Sequence, residues 1–305
     1  MKVAQLSQDE LARLLRRGEF LLDLPPFVAR VRSDVPSLVR DIADMYGEFA
    51  VCAPEAFADF SVEVSLEPGL RRWYKPQARF YYDDLPSFAP LPAQQAFPMI
   101  EWGLNWCVAA HAHQYLTIHA AVIERDGRAA VLPAPPGSGK STLCAGLIQR
   151  GWRLLSDELA LLDMDSGLIH GMARPVSLKN ASIAAIRAFA PEAVMTSPVP
   201  DTAKGTVSLL QPPAASVRRV REPTRAAWVV LPSYEAGAAP VFTPHGKERA
   251  FMTLAEQSFN YDMHGVRGFE AMGRLVEQCE CLRFNYGRLE DAAEAFERLA
   301  ATGAP

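Results

Sequence analysis

No stretch of this 305-residue chain is apolar for long enough to cross a bilayer. A spanning helix needs ~20 apolar residues. The nearest candidate, Trp102 to His113, is broken by Asn105 and two histidines, which suits a buried helix better. Positive charge is also in short supply: 31 Lys and Arg against 35 Asp and Glu leave a net charge of −4. A mildly acidic chain lacks the electrostatic footprint of a nucleic-acid or anionic-membrane binder, so neither partner is expected. Cysteine is scarce and scattered. Cys52, Cys107 and Cys144 stand apart, and Cys279 and Cys281 alternate as in a strand, which predicts two small buried side chains. No pair of C-x-x-C motifs exists, which argues against zinc, and the odd count of five points to a reducing, cytoplasmic compartment. The amphipathic, charged MKVAQLSQDELARLLRRGEF has no apolar core of signal-peptide length. Internal repeats and low-complexity tracts are absent.

What is present is apolar material, 49% of residues, enough for a sizeable core. Residues 7–17 read as a helix with Ser7 as N-cap and Glu10 completing a capping box. FLLDLPPFVARVRSD reads as two short strands around Pro25-Pro26, Val35 to Tyr46 as a helix, and Phe60 to Leu66 and 78–84 as strands. Together these describe a smaller α+β module over residues 1–100, with a boundary near 90–114. From 115 to 305 strands alternate with helices, the pattern of an α/β layered core. Two apolar β runs meet at Arg125-Asp126-Gly127, a hairpin signal. RLLSDELALLD reads as a bent strand pair carrying acids. Residues 190–224, rich in Pro, Ala, Ser and Thr, read as a mobile loop, and AAWVVLP (226–232) as a buried strand.

The second β run enters Ala134-Pro135-Pro136-Gly137-Ser138-Gly139-Lys140-Ser141, the phosphate-loop (Walker A) pattern with Ala in place of the first Gly. Such a loop turns backbone N–H groups inward around an anion. That requires residues tolerant of positive φ, here Gly137 and Gly139. The helix that follows, expected to be amphipathic, adds its positive end. Pro136, Gly137, Ser138, Gly139, Lys140, Ser141 and Thr142 are therefore the expected nucleotide-binding residues. Lys140 supplies charge for the β- and γ-phosphates, and the Ser141 hydroxyl a ligand for magnesium. Asp157 and Glu158 follow Lys140 by 17 and 18 positions. One helix and one turn between them predict an acid-bearing strand close to the loop strand. One carboxylate would hold magnesium and the other accept a proton from an attacking hydroxyl; Asp157 is taken as the metal ligand beside Ser141, and the base stays open.

From His119 to Asp163 the residues resemble the HPr kinase/phosphorylase group and the HprK-related kinases, whose core is similar to phosphoenolpyruvate carboxykinase. The features are a histidine opening a β run (IHAAVIERDG), a second β run, GSGKST, and LIQRGWRLLSDE with its acidic pair. The resemblance implies a P-loop α/β core of that type, ATP and Mg2+ as cofactors, and homo-oligomers. It implies that Asp157-Glu158 hold the catalytic base and that His119 is an active-site histidine, here followed by Ala120 rather than glycine. A weaker echo in PHGKERAFMTLAEQSFNY makes Lys247 and Arg249 secondary candidates, and Lys204 and Arg174 are similar ones. The family's glycine-rich signature has no counterpart; ARPVSLKN occupies that region.

These readings lead to an ATP- and magnesium-dependent kinase transferring the γ-phosphate to a hydroxyl, a serine on a protein or peptide. Asp157, Glu158, His119 and Lys140 are its catalytic candidates, and the module over 1–100 would recognise the partner. A small-molecule kinase and a nucleotide-binding regulatory ATPase are the alternatives.

Overall fold

The computed structural model describes residues 1–135 and 137–302, apart from the Arg71 side chain. Helix α1 (Gln8–Arg17) opens at Ser7, whose hydroxyl accepts from the Glu10 amide while the Glu10 carboxylate accepts from the Ser7 amide. Gly18, in the left-handed region, ends it. β1 (Phe20–Leu24) and β2 (Phe27–Ser33) pair across a cis Pro25–Pro26 bond. α2 (Pro36–Tyr46), β3 (Phe60–Leu66), β4 (Gln77–Tyr82), β5 (Leu85–Pro86), β6 (Leu91–Pro92) and α3 (Ala96–His111) follow. β7 (Tyr115–Arg125) and β8 (Arg128–Pro133) are joined by Asp126 and Gly127 at φ 52° and 80°, the left-handed pair that matches hairpin twist. Next come α4 (Lys140–Gln149), β9 (Arg153–Ser156), β10 (Leu159–Asp163), β11 (Leu168–His170), β12 (Val176–Lys179) and α5 (Ala181–Phe189). Then follow β13 (Val199–Thr202), β14 (Gly205–Leu210), α6 (Ala214–Arg218), β15 (Thr224–Tyr234), β16 (Val241–Pro244), α7 (Lys247–Glu256), α8 (Tyr261–Gln278), β17 (Glu280–Tyr286) and α9 (Leu289–Thr302). Among the described residues no helix is long and apolar enough to cross a membrane.

The chain divides into two compact units, one of residues 1–108 and 194–211, the other of 109–193 and 212 onward. In the first, β1-β2-β3-β4-β5 form a sheet, with β6 also on β4 and only β2–β3 parallel. Alternation decides its faces: Phe27, Ala29 and Val31 of β2 and Phe60, Val62 and Val64 of β3 are buried. Residues 199–210, read from composition as loop, are instead the antiparallel pair β13–β14, because Val207 to Leu210 is a buried run.

The second unit holds the larger sheet, in the order β11-β10-β7-β8-β15-β17-β16. It is mixed: β15 runs parallel to β8 and β17, and the other pairings are antiparallel. β7 is long enough to pair twice on one edge, with β10 through Tyr115–His119 and with β9 through Val122–Glu124. Strand residues Ile118, Ala120, Val131 and Val229 are buried with Leu254 of α7 and Met272 and Leu275 of α8 in one core. Each such Leu, Ile or Met contributes about 1.5–3 kcal/mol of burial. α4 departs from the amphipathic expectation: Leu143 through Ile148 are all buried, so neighbours cover it on nearly every side. α8 begins at Tyr261 and carries Gly268 and a kink at Gly265 (φ 51°) inside it.

Candidate functional site

Three features meet at one end of β7 and β8 because of strand register. Ala120 of β7 lies opposite Pro133, the last residue of β8, so the loop leaving β8 starts beside His119. On the other edge of β7, His119 lies opposite Leu159, the first residue of β10. The break between β9 and β10, where Asp157 and Glu158 stand, is thereby brought to the same place. The acid-bearing strands lie beside β7 and not beside β8; the hairpin puts one strand between acids and loop, correcting the closer placement expected from spacing.

The loop has the backbone its composition calls for. Gly137 and Gly139 sit at φ 89° and 87°, and Gly139 is the N-cap of α4. The first-turn amides of α4 face forward without intrahelical partners. The Leu143 amide donates to the Gly139 carbonyl at 2.9 Å. From the neighbouring strand ends, the Tyr234 amide donates to the Ser138 carbonyl (3.1 Å) and the Tyr286 hydroxyl to the Gly139 carbonyl (3.0 Å). Two tyrosines on β15 and β17 thus brace the loop from behind. A Cβ at Gly139 would come within 2.5 Å of the Tyr286 hydroxyl, whereas one at Gly137 would meet open space.

Several polar atoms here are buried with nothing to bond. The Lys140 ammonium, the Ser138 hydroxyl and Asp157 Oδ1 have no hydrogen-bond partner among the described residues, and Lys140 and Asp157 are only 7% and 4% exposed. Leaving such groups unpaired costs about 1–3 kcal/mol each, so a set of them in one place marks a seat for a polar ligand. Burial pushes the Lys140 ammonium down, against the pull of Glu158 and Asp157. The two carboxyls are driven apart. Burial, then the charge of Glu158, raises Asp157, although Lys140, the adjacent Ser141 hydroxyl and the Ser177 amide (3.2 Å to Oδ2) pull it back. Burial would raise Glu158 too, but its 3.0 Å hydrogen bond with His119 Nε2 and the charges of Lys140, His119 and Lys179 bring it below the ordinary range. Among the described residues no three His, Cys, Asp or Glu side chains group as a metal cage. The donors present, a serine hydroxyl beside a carboxylate and an ammonium, suit a hard cation that arrives with phosphate oxygens.

Gly137, Ser138, Gly139, Lys140 and Ser141 therefore lie with His119, Asp157 and Glu158, and Thr142 continues the first turn of α4; Pro136 lies outside the described residues. Lys247 donates to the Glu277 carbonyl at 2.6 Å and pairs with its carboxylate. Lys204 belongs to the first unit, its ammonium over the Trp102 ring. Arg174 is buried just before β12. In the PHGKERAFMTLAEQSFNY segment, Asn260 bonds the Thr117 amide and the Tyr115 carbonyl, stapling the segment to β7. Sequence reasoning missed Tyr234, Tyr286, Ser177 and Lys179. None carries a local signature: Tyr234 and Tyr286 arrive through the parallel pairing of β15 with β17, and Ser177 and Lys179 through the bond of the Ser177 amide to Asp157, 20 residues away in the chain.

A family profile described as "SynChlorMet cassette protein ScmC" matches residues 95–171 of the 305. Among solved structures the chain is similar to the HPr(Ser) kinase/phosphatase from Coxiella burnetii, at 12% identity and a TM-score of 0.28 over 61% of this chain and 97% of that one. That superposition is too loose to transfer the role of any residue. No curated protein matches. The window of the family match runs from α3 to β11 and so contains His119, the loop and both acids.

Proposed function

We propose that the chain is an ATP- and magnesium-dependent phosphotransferase that moves a γ-phosphate to a hydroxyl, a serine on a protein or peptide, within a P-loop core of the HPr kinase type. One observation carries the proposal: a left-handed glycine loop at a helix N-terminus surrounded by buried, unpartnered Lys140, Ser138 and Asp157 atoms. These fit a triphosphate. ATP with magnesium supplies, when bound, the transferable phosphoryl group and the cation that neutralises it. The loop amides and Lys140 would hold the phosphates, and Ser141 would supply the ion's direct ligand with the charge of Asp157 beside it. Environments that push two carboxyls apart divide their roles. Asp157, raised by burial, is the stronger proton acceptor, at Oδ1. Glu158, kept ionised and oriented by His119, fixes negative charge next to it. The sequence resemblance from His119 to Asp163 supports the same reading and the choice of a protein serine as acceptor.

Calorimetry on Lys140→Ala is the direct test: tight ATP–magnesium binding by the wild type should disappear, and unchanged affinity would remove the loop assignment. Incubation with γ-labelled ATP and a cell lysate then identifies the acceptor. Label in a sugar or alcohol and in no protein would favour a small-molecule kinase. Hydrolysis without any labelled acceptor would favour a regulatory ATPase.

A further inference from the structure

β12 forms a wall of the site that neither the loop nor the acidic pair accounts for. The Ser177 amide, bonded to Asp157 Oδ2, fixes the strand against the acids. Ser177 is 7% exposed, and its hydroxyl has no partner among the described residues. Two residues on, Lys179 shares the strand face of Ser177. Its side chain makes no hydrogen bond or ion pair among the described residues, and its ammonium is near enough to act on both Lys140 and Glu158. The strand is held at both ends by backbone that side chains disfavour: Ala173 at φ 47° and Asn180 at φ 51°, ψ −120°. Strain of this kind persists where the surroundings over-determine a conformation, often at a ligand site. The like charges of Lys179 and Lys140 oppose each other, and an anion between them would relieve that repulsion.

We infer that Lys179, with the Ser177 hydroxyl beside it, is a second phosphate-binding group of this site, dedicated to the terminal phosphate. The inference rests on the nucleotide reading above. Lys140 stands at the helix N-terminus, where the loop amides gather the inner phosphates. Lys179 stands on the side of the acids, where the end of the chain to be transferred must lie. The division of labour predicts that Lys179 distinguishes a triphosphate from a diphosphate.

The test is calorimetry with magnesium and either ADP or the non-hydrolysable β,γ-imido analogue of ATP. One charge-assisted contact is worth about 1.5–3 kcal/mol, or about tenfold or more in affinity. Lys179→Met should weaken the triphosphate analogue by at least that factor and leave ADP within about twofold. Lys179→Arg, which keeps the charge, should restore most of the loss, and Ser177→Ala should show a smaller loss with the same preference. Equal losses for both nucleotides, or no loss for either, would overturn the assignment while leaving the loop intact. A wild type that binds neither nucleotide would overturn both readings.

Discussion

Gly139→Ala tests the loop's construction most sharply, because two separate penalties fall on one methyl group. The first is conformational. Gly139 sits at φ 87°, and an L-residue in the left-handed region costs about 1–2 kcal/mol. The second is steric. The new Cβ would lie 2.5 Å from the Tyr286 hydroxyl and 2.9 Å from Tyr234 Cβ. Tyr286 is 1% exposed and stacked on Phe284, and a Cβ moves only with its backbone, so neither neighbour can yield cheaply. Overpacking of this kind costs about 1–3 kcal/mol. The sum is about 2–5 kcal/mol. Gly137→Ala is the internal control. It shares the conformational penalty, at φ 89°, but its Cβ meets open space, so about 1–2 kcal/mol is expected, less what a stiffer unfolded chain returns. Urea unfolding of both variants, followed by tryptophan fluorescence, reads the difference directly. Adding Tyr286→Phe to Gly139→Ala removes the closer clash and should recover part of the loss. Equal midpoints for the two glycine variants would refute the claim that strand-end tyrosines brace the loop.

Asp157→Asn carries a pH signature in the ligand-free protein. Burial lifts the Asp157 carboxyl from 3.8 to about 6, so the fold binds this proton more tightly than the unfolded chain does. Ionisation is then a cost that is absent below the unfolded value and complete above the folded one. The amide should raise the melting temperature at pH 7.5 and lose that advantage by pH 4, while turnover disappears; a constant advantage across that range would contradict the burial argument. Glu124, 2% exposed, forms an ion pair with Arg153, and Arg219 lies 3.5 Å away. Glu124→Ala should therefore cost about 3–5 kcal/mol in denaturant unfolding by stranding a buried guanidinium, and a loss below 1 kcal/mol would mean that the Arg219 and Glu222 carbonyls suffice for it. Ser7→Ala removes the capping box of α1 and should cost about 1 kcal/mol, read as earlier amide exchange in that helix.

Local chemistry alone was enough for a good part of this molecule. The Ser7–Glu10 capping box, the Asp126-Gly127 hairpin turn and the two left-handed glycines before Lys140 are each set by residues within a few positions of one another, whose conformational preferences and hydrogen bonds do not wait for distant contacts. Most strands from β7 to β17 were legible for the same reason. What lay beyond reach depends on register between segments far apart in the chain. His119 meets Glu158 only because β7 pairs with β10 at that offset, and Lys179 reaches the acids only because the Ser177 amide bonds Asp157. Composition misread 199–210 as loop, since proline, serine and threonine report turn propensity and not the partner strand that overrides it. The all-round burial of α4 likewise follows from what packs on it, which no periodicity inside ten residues encodes. The sequence by itself determined the left-handed glycine loop ahead of α4, because backbone preference is local; the tertiary fold decided which acids stand beside it, because that depends on strand register.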